Sequence, residues 1–284
     1  MTTRSGAPVP RAHLDAFITS ADADSGGAFT LTAATGPAGS QAITVTADGY
    51  QPRETVIRLP RTNEVVVDLI SKATPYDETF YNQLARDAYT TPDADYPLYR
   101  WSSQLRFYLK TRDEFGRPLS NNDLETVRRG IREGVQYYTA GTYQADIVEG
   151  TETRPEQVGW VNVVPLQVLP PGDFCSYSST VGGDPMTMWL RIDGCGCGSI
   201  KIPIADVIHE VGHAVGMFDV AEPDQIMNRV LSQGCREVIP TAKEQYHAAL
   251  IYSRPRGNRS PDRDPGTFSL ARPNGDLERL PGRP

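Results

Sequence analysis

One short segment constrains this chain more than any other: His209-Glu210-Val211-Gly212-His213, followed by Gly216 and Asp219. Around it, Ile204, Val207, Ile208, Val211 and Val215 recur at helical spacing, and Pro203 suits a helix's first turn. The spacing predicts a helix over residues 203–215 with one buried side and His209, Glu210 and His213 on another arc. Residues four apart on a helix lie one turn apart and point the same way. Both imidazoles can therefore reach a single metal ion, with Glu210 beside the first of them. Isolated histidines at this spacing are often core residues bonded to backbone. The added carboxylate, the glycine three positions past His213 and an oxygen donor three further on set this segment apart.

Gly216 can take the left-handed conformation that ends a helix and turns the chain back toward it. Asp219 is then in reach of the same ion, and a carboxylate oxygen is an acceptable zinc ligand. Zinc lowers the pKa of its bound water, and Glu210 is placed to take that water's proton as it attacks a polarised carbonyl. The other two of the four histidines, His13 and His247, stand at no metal-binding spacing and read as surface or structural.

This segment resembles the extended zinc motif of the metzincin metallopeptidases, H-E-x-x-H-x-x-G-x-x-H, with Asp219 at the third position as in snapalysin-like bacterial peptidases. Downstream, Asp224-Gln225-Ile226-Met227-Asn228 falls at the short distance where matrixins place their methionine turn. The resemblance covers residues 100–252 in layout, while its specific motifs span 209–227. It implies a zinc endopeptidase: His209, His213 and Asp219 hold the metal, Glu210 is the general base, and Gly216 and Met227 shape the site, with Met227 as its apolar floor. It also implies an α+β catalytic domain made of a twisted mixed sheet, the active-site helix and a C-terminal helix. The strand at 187–192 would be the sheet edge that receives an extended protein or peptide substrate. Calcium, common among matrixins, stays open, since no Asp-rich calcium loop stands in the sequence.

Elsewhere the texture changes. Residues 1–70 carry short alternating stretches, such as Ala42-Ile43-Thr44-Val45-Thr46 and Thr55-Val56-Ile57-Arg58-Leu59, separated by turn residues such as Asp48-Gly49. They predict a small β-sandwich, and the pattern from Ile43 to Leu59 resembles the carboxypeptidase-regulatory-like domain, which carries no chemistry here. Residues 71–100 read as a helical connector, with one helix over 77–89. A metallopeptidase domain is expected over 101–253. Its helix after Ser120 or Asn121 has Leu124, Val127, Ile131, Val135 and Tyr138 on one face, and its last helix starts at a Thr241–Glu244 capping box. From 254 to 284 the chain is rich in Pro, Arg and Gly and reads as disordered.

The four cysteines, Cys175, Cys195, Cys197 and Cys235, all lie in the second half. Their spacing favours disulfides, and hence an exported protein, over a structural zinc site or free thiols, with a Cys195–Cys197 bridge the least compatible with disulfide geometry; the family resemblance implies that they brace the loops around the cleft. Met1-Thr2-Thr3-Arg4 leads into no apolar segment, so no signal peptide is visible, and a mature or trimmed form is expected. A net charge of −7 provides no basic field for nucleic acid. No apolar run approaches a membrane span of ~18 residues. A monomer is expected. Two other readings are a non-catalytic zinc-stabilised binding or adhesion protein, and a gluzincin-type peptidase with Glu244 as a distant third ligand. Intact Glu210 weighs against the first, since a structural zinc site needs no general base. No specificity residue is recognisable between 230 and 240.

Overall fold

The computed structural model describes residues 2–3, 6–16, 19–31, 39–59, 64–101, 104–167, 175–182, 185–193, 197–198, 200–229 and 238–266. The chain divides into two compact units: residues up to Thr74 together with the segment from Gly257, and residues Pro75–Arg256.

The first unit is built from β1 (Thr2–Thr3), β2 (His13–Ala16), β3 (Thr19–Asp22), β4 (Gly39–Thr46), β5 (Arg53–Leu59) and β6 (Asp68–Leu69). Strands β3-β2-β4-β5 form an antiparallel sheet, and β1 pairs with β6 in parallel. Alternation along β4 sends Ile43 and Val45 to one face, where they meet Leu14, Ile57, Val67 and Leu69 in an apolar core.

The expected disorder of residues 254–284 is corrected for its first part. Arg254 is fully buried, as are Asn258 and Asp262. The segment pairs with β5 on both sides of Glu54, whose N–H donates to Asp262 O (3.0 Å) and whose carbonyl accepts from Asp264 N (2.8 Å). Because β5 is the last strand of its sheet, this pairing covers an open edge. Arg53, itself buried, pairs with Asp68 and with Asp264 (2.9 Å), and Asn258 donates to Asp262 and Asp264. Order here comes from paired polar groups, which a reading based on apolar content does not see. The remainder of the expected tail, from 267, lies outside the described residues.

The second unit runs α1 (Glu78–Arg86), β7 (Leu105–Lys110), α2 (Asn121–Tyr138), β8 (Ala145–Gly150), β9 (Trp160–Leu166), β10 (Ser176–Ser178), β11 (Met186–Arg191), α3 (Ile204–Ala214) and α4 (Ala242–Tyr252). Its five strands form a mixed sheet in the order β10-β11-β9-β7-β8. Four run parallel, and β10 lies antiparallel to β11 with Ser178 opposite Met188. The expected edge strand at 187–192 is therefore corrected: β11 is interior, and the edge beside it is β10, whose three residues are too few to give a strand pattern. Across the three central strands one face is apolar and buried, with Phe107, Leu109, Val161, Val163, Met186 and Met188 aligned.

Helix α2 is capped by Ser120, whose hydroxyl accepts from Asp123 N, and it buries all five residues of the expected apolar face. It packs closely on α3: a Cβ at Gly130 would stand 2.6 Å from Val207 Cγ1, and one at Gly134 2.8 Å from Val211 Cγ1. Helix α3 is buried nearly all round, as a helix between a sheet and a second helix must be. Helix α4 begins at the Thr241–Glu244 capping box. The expected connector is also corrected. Helix α1 belongs to the second unit, and its Leu84 carbonyl accepts from Phe218 N at 2.8 Å.

Candidate metal centre

Helix α3 brings His209 and His213 together, with ring centroids 4.6 Å apart and planes at 88°. Each ring is fixed through its Nδ1, which donates to a backbone carbonyl: His209 to Ile226 O at 2.8 Å, His213 to Met217 O at 2.9 Å. With the proton on Nδ1, each Nε2 presents a lone pair. Both Nε2 atoms lie 3.5 Å from the same atom, Asp219 Oδ1.

The turn that carries Asp219 depends on Gly216, which sits at φ 102°, a conformation that side chains resist. A Cβ there would also lie 1.5 Å from Tyr99 O, so glycine is required twice over. Beyond Asp219, Val220 N donates to Met227 O (2.8 Å), and the Asn228 side chain donates to the carbonyls of Val220 and Ala221, each at 3.1 Å. Ala221 N in turn donates to Gln83 on α1 (3.0 Å). Two segments distant in sequence thus hold the loop. Met227 is fully buried, and its Sδ stands 2.3 Å from where a Cβ on Gly212 would be, which places the methionine tightly against α3.

These residues fit a metal ion. Asp219 Oδ1 is buried and has no hydrogen-bond partner. It stands 3.5 Å from both Nε2 atoms, an arrangement of three converging donor atoms that can hold a cation. His209, His213 and Asp219 each offer one donor atom, all within 4.8 Å of one another. Tetrahedral ligands at zinc distances stand about 3.3 Å apart, close to the 3.5 Å separations here. Two imidazoles and one carboxylate are a donor set that zinc accepts.

Glu210 is buried, with Oε2 accepting from the Ser178 hydroxyl. On the same helix, one turn earlier, Asp206 is buried with Oδ1 unpartnered. Burial pushes its carboxyl up to about 7, partly offset by nearby His209 and reinforced by the charge of Glu210.

Glu244 does not join the cluster, which corrects the reading that made it a third ligand. Its Oε1 accepts from Met227 N (2.8 Å) and its Oε2 from Thr241 N (2.9 Å). Burial raises its carboxyl, opposed by these backbone donors. It anchors the turn whose Ile226 carbonyl holds His209. His247, read as surface or structural, is a buried helix residue that accepts from Asp77 N at 2.9 Å. Cys175 and Cys197 are each in a disulfide, and no described cysteine is free. Cys195, Cys235 and the stretch 230–237 lie outside the described residues.

Sequence reasoning missed Ser178, Asn228 and the anchoring role of Glu244. Asn228 was within sight, adjacent to the methionine. For Ser178 no signal existed, because its partner is set by how β10 runs past α3.

No family model matches the chain, and no curated protein sequence matches it. Among solved structures, the chain is similar to the GM1-bound form of the ECX AB5 holotoxin, at a TM-score of 0.38 and 10% identity over 63% of this chain and 94% of that one. It is also similar to metalloproteinase-II from Bacteroides fragilis, at a TM-score of 0.38 and 11% identity over 76% and 77%. Likenesses of this size decide nothing about fold or function.

Proposed function

We propose that this chain is a zinc-dependent endopeptidase of the metzincin type, with a matrixin-like methionine turn at Met227. The observation that carries this reading is the convergence of His209 Nε2, His213 Nε2 and the unpartnered Asp219 Oδ1 beside the buried carboxylate of Glu210. When bound by these three residues, zinc supplies a Lewis acid for a peptide carbonyl and makes water more acidic. Glu210 takes the proton of the attacking water and passes it to the departing amine as the C–N bond breaks. His209 and His213 each commit Nδ1 to a backbone carbonyl, which fixes the ring and leaves Nε2 for the metal. The substrate is a protein or peptide in extended form, lying along the outer edge of β10, where its backbone finds strand-like partners. The disulfides at Cys175 and Cys197 support an exported protein.

The test pairs the wild type with Glu210→Gln on an unfolded protein substrate. The variant is expected to keep one equivalent of zinc and to lose at least about 100-fold in turnover. Near-normal hydrolysis by Glu210→Gln would place the base elsewhere. A zinc-loaded wild type that cleaves no peptide would favour the non-catalytic reading.

A further inference from the structure

The Glu210 side chain has one hydrogen-bond partner among the described residues, and it comes from outside its own helix. The Ser178 hydroxyl donates to Oε2. Ser178 ends β10 and is half-buried, while Glu210 is buried.

One strand pairing and three hydrogen bonds of the residues that follow hold this serine in place. In the sheet it stands opposite Met188, which is fully buried. Just after it, Ser179 N donates to Thr187 O (2.9 Å) and Thr187 N donates to Ser179 Oγ (3.0 Å), which locks the end of the strand. Four residues on, Gly182 N donates to His213 O at 2.8 Å, so the chain leaving β10 is tied to α3 a second time, beside the second histidine. The stretch 178–182 thus runs along the face of α3 that carries the metal cluster.

From this we infer that Ser178 is a positioning residue for Glu210. A glutamate has three rotatable side-chain bonds, and in a buried site an unguided carboxylate samples orientations in which neither oxygen faces the reacting water. A hydroxyl that grips Oε2 leaves Oε1 as the oxygen free to accept a proton and fixes the plane of the carboxylate. The serine hydroxyl carries no charge, so it holds Oε2 by a hydrogen bond and not by an ion pair. The sheet edge that receives substrate and the group that handles the proton are in this way one mechanical unit.

The inference rests on the peptidase reading, and the experiment separates the two. Ser178→Ala, Ser178→Thr and wild type are compared for zinc content, kcat and KM on one peptide. Ser178→Ala is expected to keep one equivalent of zinc, to lose about 10- to 100-fold in kcat, and to change KM less than about twofold. Ser178→Thr, which keeps the hydroxyl and suits a strand, restores most of kcat. A second measurement uses no activity: urea midpoints of the metal-free proteins in a double-mutant cycle of Ser178→Ala with Glu210→Ala. The shift caused by Ser178→Ala is expected to shrink when Glu210 is already absent. Unchanged kcat in Ser178→Ala, a defect confined to KM, no rescue by threonine, or additive midpoints would each overturn the inference while leaving the peptidase reading intact. A zinc-loaded wild type without hydrolysis would overturn both.

Discussion

The metal cluster has two halves built on different physical plans. His209 and His213 stand one turn apart on a buried helix, and their separation follows from helical geometry alone. Asp219 stands on a loop whose position is set from elsewhere: Leu84 and Gln83 on α1, Met227 and Asn228 beyond the turn, and Tyr99 beneath Gly216. The helical half is held by local regularity, the loop half by contacts across the sequence. Failures of the two halves should therefore differ in kind.

The largest effect is expected in the helical half. On the proposed reading His209→Ala removes one of three donors and should lower zinc affinity by about 1000-fold, a third of a binding free energy of about 12 kcal/mol. The metal-free fold should lose far less. Calorimetric zinc titration and urea unfolding of the same sample read the two quantities. Comparable losses in both would show that His209 is a core residue first.

Next comes Gly216→Ala, which attacks the loop half at its hinge. With φ at 102° and a Cβ falling 1.5 Å from Tyr99 O, the change should cost about 3 kcal/mol or more of stability, as well as metal binding. A variant of wild-type stability would show that the turn has another way to close.

A milder cut at the same half is Asn228→Ala, which removes both side-chain bonds to the Asp219 loop. Zinc affinity should fall about 10- to 100-fold, since outer partners of ligands carry that much. Stability should fall by only about 1–2 kcal/mol. Competition with a chelator measures the first, and an unchanged affinity would mean that Leu84 and Gln83 suffice.

The smallest effect concerns Asp206, one turn below His209 on α3. Its carboxyl, near 4 in the unfolded chain, is held up to about 7 in the metal-free fold. The folded state therefore binds more protons between those values, and stability declines as pH rises from about 4 through 7. The stabilisation of the protonated form is complete below pH 4 and gone above 7. Asp206→Asn should flatten that slope and stabilise the metal-free protein at neutral pH, by about 4 kcal/mol at most. A slope unchanged in Asp206→Asn would assign the pH dependence to other groups.

The same contrast explains what could be read from sequence. The helix at α3, the placing of its two histidines one turn apart, Glu210 beside the first of them and the apolar face of α2 follow from periodicity, which is local information. Gly216 and Asp219 were legible because a helix-ending glycine leaves few places for the chain to go. In the main sheet the strand at β11 was legible and β10 was not. That strand escaped because three residues carry no alternation, and its misassigned neighbour β11 was taken for the edge. The order in residues 254–266 was hidden for a different reason: Arg53, Asn258, Asp262 and Asp264 satisfy one another, and composition alone reads such residues as solvated. Glu244 was visible as a capping residue, and only the fold shows that its carboxylate also holds Met227.

One titration tests the centre of the account: peptide hydrolysis followed as zinc is added to the metal-stripped chain. The rate is expected to rise linearly from zero and break at one equivalent, with Asp219→Ala requiring a large excess of zinc to reach any plateau. A stripped, folded chain that hydrolyses the peptide at full rate, or one that stays inert at saturating zinc, would contradict it.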